Sequence, residues 1–210
     1  MLRNLLSSIV TAILLVVIGC GSSENPAASY NGKPLKLAVI PKGTSHEFWK
    51  SVHFGAEKAA KELGNVEIVW RGPVVESDTG SQIEVVKNMI TLGVDGIVLA
   101  PNQKGGLVDA VEESIDENIP VVIFDSGLDD GPKIAGYVAT DNFKGGQLAA
   151  AEMAKAINKK GNVILLRYLA GSESTEQREN GFLEGLKEFP KIKVVSSENP
   201  FNSSKSSPLI

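Results

Sequence analysis

Residues 35–70 read LKLAVIPKGTSHEFWKSVHFGAEKAAKELGNVEIVW, and this stretch decides the fold. The apolar runs Leu35–Ile40 and Val66–Trp70 have the length and the Val and Ile content of strands that are covered on both faces. A strand, a helix and a second strand in this order form the βαβ unit of a parallel sheet. The helix between them is predicted from apolar residues at spacings of three and four: Phe48, Val52, Ala56, Ala59 and Leu63.

The same alternation continues along the chain and predicts an α/β fold built from a doubly wound parallel sheet. Further strands are predicted at Gly96–Ala100, Val121–Phe124, Ile134–Val138, Val163–Arg167 and Ile192–Val195. The helices between them have core stripes of Ile83, Val86 and Ile90, then Leu107, Ala110, Val111 and Ile115, then Leu148, Ala151, Ala154 and Ile157. Met89 and Met153 are expected in the core as well.

The alternation divides the chain into two lobes. Residues 35–138 supply five predicted strands and are expected to form a complete first lobe, and the stretch Val138–Asn142 is expected to cross to a second lobe. Residues 139–198 supply only two strands, too few for a stable sheet domain, so the second lobe is expected to be partial and the chain truncated at its C-terminus. Residues 199–210 are rich in Ser, Asn and Pro without a period, and we expect a disordered or aberrant tail there.

The N-terminus is typical of an exported protein. Arg3 precedes the apolar run Ile9–Ile18, which is too short and too interrupted for a membrane span. The following tetrapeptide, ending at Cys20, resembles a bacterial lipobox, so residues 1–19 are expected to be a lipoprotein signal peptide. The acyl chains on Cys20 would anchor the protein to a membrane of the cell envelope, and residues 20–34 would be a flexible tether.

Composition and motifs exclude several classes of function. The net charge is −4 and there is no dense run of Lys and Arg, so nucleic acid is not an expected partner. Cys20 is the only cysteine, which excludes a disulfide framework and a cysteine-based metal site. No Walker A, HExxH or GxSxG pattern occurs, so the sequence predicts no catalytic residues, metal or cofactor.

Polar and aromatic residues follow the first predicted strand, at the edge where open α/β sheets bind ligands. Phe48 belongs to the predicted helix stripe and has core packing as its alternative role, so the adjacent Trp49 is expected to face the cleft. An aromatic ring can pack on the C–H face of a sugar, and Lys42 can donate to its hydroxyl groups. Thr44 and Glu47 have the spacing of a capping box, which favours a structural role for Glu47.

Two more clusters follow later strands. Asp125 comes directly after the fourth strand, where a carboxylate can accept hydroxyl hydrogen bonds, although Asp before Ser-Gly is also common in turns. Arg178 lies in the first turns of a later helix, where its guanidinium could bind two sugar oxygens or could lie on the helix surface in solvent.

The chain resembles the ribose-binding and related type I periplasmic sugar-binding proteins, whose fold is shared by the effector domains of the lactose-repressor family. The likeness runs from about Leu35 to Asn199. It rests on five motifs in order: PKGTSHEFWKSVHFGAEKAA, GVDGIVLAPN, IPVVIFDSG, YVATDNFKGGQLAA and GSESTEQRENGF.

The resemblance implies ligand-binding roles for seven residues. In the family an aromatic pair packs on the sugar ring, an Asp holds hydroxyl groups and an Arg binds from the second lobe, which correspond here to Phe48 and Trp49, Asp125 and Arg178. Lys42 and His46 match positions that contact the ligand in some relatives. Ser126 is included as a contact, and it stands where ribose-specific relatives have an Arg, which argues against ribose.

The resemblance also implies a function. We expect a monomeric substrate-binding lipoprotein of an ABC-type sugar importer, which binds a monosaccharide or polyol between two lobes and delivers it to a permease in the inner membrane. A sugar sensor feeding a chemoreceptor or a histidine kinase fits the same pattern, as does a non-functional truncated product. The export signal argues against a transcriptional regulator, and the lack of suitably placed paired carboxylates argues against a sugar hydrolase.

Overall fold

The computed structural model describes residues 32–198. The predictions for the signal peptide, for Cys20, for most of the tether and for the tail fall outside these residues. The described elements are, in chain order, β1 (Leu35–Ile40), α1 (Glu47–Leu63), β2 (Val66–Trp70), α2 (Thr79–Leu92), β3 (Gly96–Leu99), α3 (Val108–Asp116), β4 (Val121–Phe124), β5 (Gly136–Val138), α4 (Asn142–Ala156), β6 (Gly161–Leu166), α5 (Glu173–Leu186) and β7 (Ile192–Glu198).

Strands β1 to β5 form one parallel sheet, as the sequence predicts, and their order in it is β2-β1-β3-β4-β5. Helices α2 and α3 pack on one face, where Val86 and Val111 are fully buried together with strand residues such as Ile40 and Leu99. Helix α1 lies on the other face, because its His53 stacks on Trp70 of β2. Successive residues of a strand point to opposite faces, and the residue before Trp70 packs against the core that contains α2 and α3. The predicted core stripes of α2 and α3 are confirmed.

The predicted core stripe of α1 is wrong at both ends, while Val52 near its middle is partly buried as expected. Phe48 and Leu63 are about half exposed, and the buried residues of this helix are Trp49 and Ala60. Successive residues on a helix are about 100° apart, so a shift of one position moves the buried face away from Phe48. The helical periodicity is compatible with burial of either Phe48 or Trp49, and in the structure the larger ring, that of Trp49, is the buried one.

The N-terminus of α1 also differs from its prediction. The capping residue is His46, whose Nδ1 accepts the N–H of Phe48 at 3.1 Å. Thr44 instead donates its hydroxyl to the carbonyl oxygen of Pro73, and Glu47 pairs with Lys50, so the predicted Thr44–Glu47 capping box is wrong.

Strands β6 and β7 form a separate two-stranded parallel sheet. Helices α4 and α5 both cover the face that carries Val163 and Ile192. Side chains alternate along a strand, so the opposite face presents Ile164, Leu166 and Val195, which are 56–70% exposed. Among residues 32–198, no helix has both the length and the apolar content that a membrane span requires.

The predicted core stripe of α4 is partly wrong. Leu148, Ala151 and Met153 are exposed, whereas Ala154 is buried as expected. The cause is the close packing of α4 against α5: a Cβ on Gly146 would lie 2.1 Å from the carbonyl oxygen of Arg178. Two helix backbones approach this closely only where side chains are small, so the glycine and alanine face of α4 is buried and the leucine face is exposed.

Candidate functional site

A cavity of about 490 Å³ lies where the carboxyl ends of β1 and β4 meet the first turns of α1 and α5. Its volume is in the range of small-molecule binding sites, which is about 300–1,000 Å³. Six of the seven predicted site residues line it, and the seventh, Ser126, lies outside the lining. The lining consists of Lys42, His46, Phe48, Trp49, Glu76, Asp125, Tyr168, Ser174, Thr175 and Arg178.

The aromatic part of the wall is built around Trp49. This ring is 2% exposed and meets Phe48 and Phe124 edge to face, at centroid distances of 4.8 and 6.3 Å. Its indole N–H donates to Oε1 of Glu76 at 2.8 Å. Phe48 is 49% exposed and lines the same cavity, so both aromatic rings of the pair contribute to its wall.

Asp125 is held in an unusual backbone conformation by specific bonds. Its φ of 63° is left-handed, a region that costs an ordinary residue about 1 kcal/mol and that Asp tolerates better than most. Its N–H donates to the carbonyl oxygen of Val138 at 2.9 Å, and its Oδ2 lies 3.0 Å from Nζ of Lys42. Strain at a cavity wall that is fixed in this way is typical of functional positions.

Ser126 and Gly127 contact the start of α5. The hydroxyl oxygen of Ser126, which is fully buried, accepts the N–H of Ser174 at 3.0 Å, and the N–H of Gly127 donates to Oε2 of Glu173 at 2.9 Å. The first turn of α5 is therefore bound directly to the lobe that contains β4.

A second contact between the lobes involves Lys104, which follows β3. Its N–H donates to the carbonyl oxygen of Gly171 at 2.8 Å, and its Nζ lies 3.0 Å from Oε2 of Glu176. Burial raises the pKa of Glu176, but the hydrogen bonds from Lys104 and from the Gly171 N–H, with the charges of Lys104 and Arg167, outweigh it and leave that pKa below its usual value. The same hydrogen bond and charge raise the pKa of Lys104.

Arg178 differs from the other charged residues of the wall. It is exposed, and within residues 32–198 its guanidinium forms no hydrogen bond and no ion pair. Five N–H donors at the cavity are therefore available to a bound molecule.

Four wall residues were missed by the sequence predictions: Ser174 and Thr175 in the first turn of α5, and the two residues Glu76 and Tyr168. Glu76 lies in the loop after β2, and Tyr168 lies just after β6. Burial, together with the charge of Glu76 and a hydrogen bond to it, raises the pKa of the Tyr168 hydroxyl. Glu76 and Tyr168 follow the carboxyl ends of parallel strands, so the rule that identified Lys42 and Asp125 would also have identified them.

The described residues offer no group of three His, Cys, Asp or Glu side chains that could hold a metal ion. What the wall presents instead is aromatic surface, carboxylate oxygens, hydroxyl groups and a guanidinium. These groups bind polar molecules that also have apolar faces.

Comparison with known proteins identifies a family model and relatives that this chain matches. Residues 37–207 match the family described as periplasmic binding protein domain, a match that extends beyond Asn199. The D-ribose/D-allose-binding protein of Pseudomonas aeruginosa is 31% identical over 193 residues, which are 88% of this chain and 60% of that protein. The chain thus spans about 60% of the length of the curated relatives it matches first.

Two solved structures show the same fold. The periplasmic component of an ABC-type sugar transport system from Hahella chejuensis has a TM-score of 0.72 and 38% identity, over 77% of this chain and 59% of that one. An ABC transporter periplasmic solute binding protein from Actinobacillus succinogenes, with bound D-allose, has a TM-score of 0.71 and 36% identity, over 79% of this chain and 59% of that one.

Proposed function

Because this chain belongs to the periplasmic binding protein domain family, we propose that it binds a monosaccharide or a related polyol in the cavity between its two lobes. The observation that carries the proposal is the composition of the wall: two aromatic rings, a fixed carboxylate and an unpaired guanidinium around one cavity. A sugar has apolar C–H faces and a ring of hydroxyl groups, and this wall offers a partner for each.

Charge supports an uncharged ligand. Lys42 and Asp125 form an ion pair at 3.0 Å and neutralise each other. The remaining charged residues of the wall are Glu76, which is acidic, and Arg178, which is basic. A wall that is neutral in sum gives no net attraction to a phosphate or to a sugar acid. An uncharged polyhydroxyl compound is therefore a better fit than a sugar phosphate.

Five of the seven predicted residues have a ligand-binding role in this proposal. Phe48 and Trp49 pack on the C–H face of the ring, and the Asp125 oxygen that is not paired with Lys42 accepts hydroxyl hydrogen bonds. Arg178 donates two parallel hydrogen bonds from the other lobe. His46 uses Nδ1 to cap α1, which leaves Nε2 for a hydroxyl group.

The cellular role follows from the family and from the N-terminal sequence. We propose a binding component of an ABC-type sugar importer, exported to the cell envelope, monomeric, and anchored through lipid on Cys20. Closure of two lobes around a ligand is the usual motion of periplasmic binding proteins, and the closed form is the one presented to a permease.

The proposal is tested by titration calorimetry of the 210-residue chain with uncharged pentoses, hexoses and inositol. Sugar phosphates of the same size serve as charged competitors. We expect at least one uncharged compound to bind with a measurable Kd and its phosphate to bind more weakly. A chain that binds none of the uncharged compounds, or that prefers the phosphates, contradicts the proposal.

Replacement of the free guanidinium sharpens this test. Arg178→Met should weaken sugar binding by about ten- to hundredfold, because hydrogen bonds to charged groups contribute about 1.5–3 kcal/mol. Arg71→Met is the matched control, since Arg71 is exposed outside the cavity lining and donates to the carbonyl oxygen of Trp70. Equal affinities for both variants would remove Arg178 from the site.

A further inference from the structure

The ammonium group of Lys42 has no donor left for a ligand. A lysine has three N–H donors, and here they have three acceptors: Oδ2 of Asp125 at 3.0 Å, the hydroxyl oxygen of Ser172 at 3.1 Å and that of Ser174 at 2.9 Å. The side chain is only 4% exposed. Burial of an ammonium group is costly unless it is paired and hydrogen-bonded, and here every donor has an acceptor.

These acceptors belong to both lobes. Lys42 and Asp125 follow β1 and β4 of the five-stranded sheet, whereas Ser172 and Ser174 lie at the start of α5, which packs on the two-stranded sheet. Ser172 and Ser174 are 1% and 2% exposed, so water has little access to this junction.

Neighbouring bonds continue the same junction. The Ser126 hydroxyl oxygen accepts the N–H of Ser174, and the Gly127 N–H donates to Glu173. The segment 172–174 is therefore bound at every residue to the lobe that contains β1 and β4, and all of these bonds join protein atoms to protein atoms.

We infer that Lys42 is a positioning residue, which joins the two lobes and orients Asp125, and that it is not a donor to the ligand. This inference rests on the proposed function, because a contact that joins the two lobes affects affinity only if the ligand binds between them. Lys42 holds Oδ2 of Asp125, so the other carboxylate oxygen is the one presented to a hydroxyl group. Lys42 then influences affinity through lobe contact and through the orientation of Asp125, without a bond of its own to the sugar.

The first experiment measures the distance between the lobes without sugar. Spin labels at Lys58→Cys on α1 and Lys187→Cys just after α5, both exposed positions, report that distance by pulsed electron resonance in a Cys20→Ser background. The test variant is Ser172→Ala with Ser174→Ala, which keeps the Lys42–Asp125 pair intact. We expect the double variant to shift the distance distribution to longer values, and an unchanged distribution would overturn the inference.

Lys42→Met is the second variant, and Lys50→Met, an exposed lysine of α1 paired with Glu47, is its control. Lys42→Met should lengthen the lobe distance as the serine variant does, while Lys50→Met should not. Because Lys42→Met leaves Asp125 without its partner, the serine variant decides the outcome if Lys42→Met does not fold.

The third experiment separates lobe contact from ligand contact by a double-mutant cycle on sugar affinity. The serine variant should weaken binding by about two- to tenfold, and adding Lys42→Met to it should cause no larger further loss than adding Asp125→Ala, because orienting Asp125 is then the only role left to Lys42. A further loss by Lys42→Met that exceeds the loss by Asp125→Ala in the serine background would show that Lys42 donates to the sugar, and the inference would be wrong. If no sugar binds at all, the proposed function fails, while the label distances still test the role of Lys42.

Discussion

The two lobes of this molecule are built from the same kinds of element but are stabilised very differently. The five-stranded sheet has helices on both faces, and its core contains thirteen buried residues. The two-stranded sheet has helices on one face, with five buried residues and with Ile164 and Leu166 exposed on the other face. The site takes members from both lobes: the buried Lys42 and Trp49 come from the first lobe, and the buried Ser174 and the exposed Arg178 come from the second.

The second lobe is held in place largely by polar bonds to the first. A lobe with few buried apolar contacts belongs to the low-stability end of local unfolding, where binding elements that move are also found. We therefore expect mutations in the two cores to have separable effects.

The largest effect is expected in the first core. Leu99→Ala removes a fully buried side chain and should destabilise the protein by about 2–5 kcal/mol. Urea unfolding followed by tryptophan fluorescence measures this directly, because Trp49 and Trp70 both lie in the first lobe.

Leu186→Ala, in the second core, is the partner experiment. It should leave the tryptophan transition nearly unchanged and should instead lower the amide exchange protection of β6 and β7. Equal shifts of the tryptophan transition by both variants would mean that the two lobes unfold as one unit, which contradicts a second lobe of separate and lower stability.

The next largest effect tests the packing of α4 on α5. A Cβ on Gly146 would lie 2.1 Å from the carbonyl oxygen of Arg178, so Gly146→Ala must push the helices apart and should cost about 1–3 kcal/mol. The neighbouring Gly145 has nothing within 4 Å of such a Cβ, and Gly145→Ala should stabilise the helix by about 0.5–1 kcal/mol. Thermal unfolding of the two variants measures both signs, and a neutral Gly146→Ala would contradict the close approach.

The smallest effect concerns pH and the contact between Lys104 and Glu176. The folded pKa of Glu176 lies below its usual 4.5, so its contribution to stability is complete above that value and is lost as the pH falls through the lower folded pKa. The pKa of Lys104 is raised, so its contribution to stability is complete below pH 10.5 and is lost as the pH rises through its higher folded pKa.

Both side chains of this pair are about one third exposed, so solvent reduces the effect. We expect a modest lengthening of the lobe distance as the pH falls below 4.5, and a smaller pH response in Lys104→Met. Lys87→Met, which removes the Lys87–Glu113 pair between α2 and α3, is the control and should keep the response of the parent. An identical pH response in parent and Lys104→Met would exclude this pair as its source.

Much of the fold could be predicted from the sequence because parallel strands covered on both faces are continuous apolar runs. The sites after β1 and β4 followed from the same reasoning, because ligand residues of such sheets lie at the carboxyl ends of strands. The phase of α1 could not be predicted, since Phe48 and Trp49 are adjacent and periodicity alone does not choose between them. The buried face of α4 was missed because Gly146 and Ala150 carry little hydrophobic signal, while Leu148 carries a strong one.

Bonds between lobes were also beyond prediction. Lys42 and Ser126 were expected to contact the ligand, and only the three-dimensional arrangement shows that their polar atoms are engaged across the junction with α5. Contacts between residues about 50 to 130 positions apart leave no local pattern in a single sequence.

The most direct test of the proposed site is a crystal structure of the chain with the sugar that binds best in calorimetry. We expect the ring to lie against Phe48 and Trp49, with one oxygen of Asp125 accepting from its hydroxyl groups and Arg178 donating from the opposite lobe. Nζ of Lys42 should keep its bonds to Asp125, Ser172 and Ser174. A sugar bound on the outer surface, or held by the first lobe without any contact to Arg178, would contradict binding between the lobes.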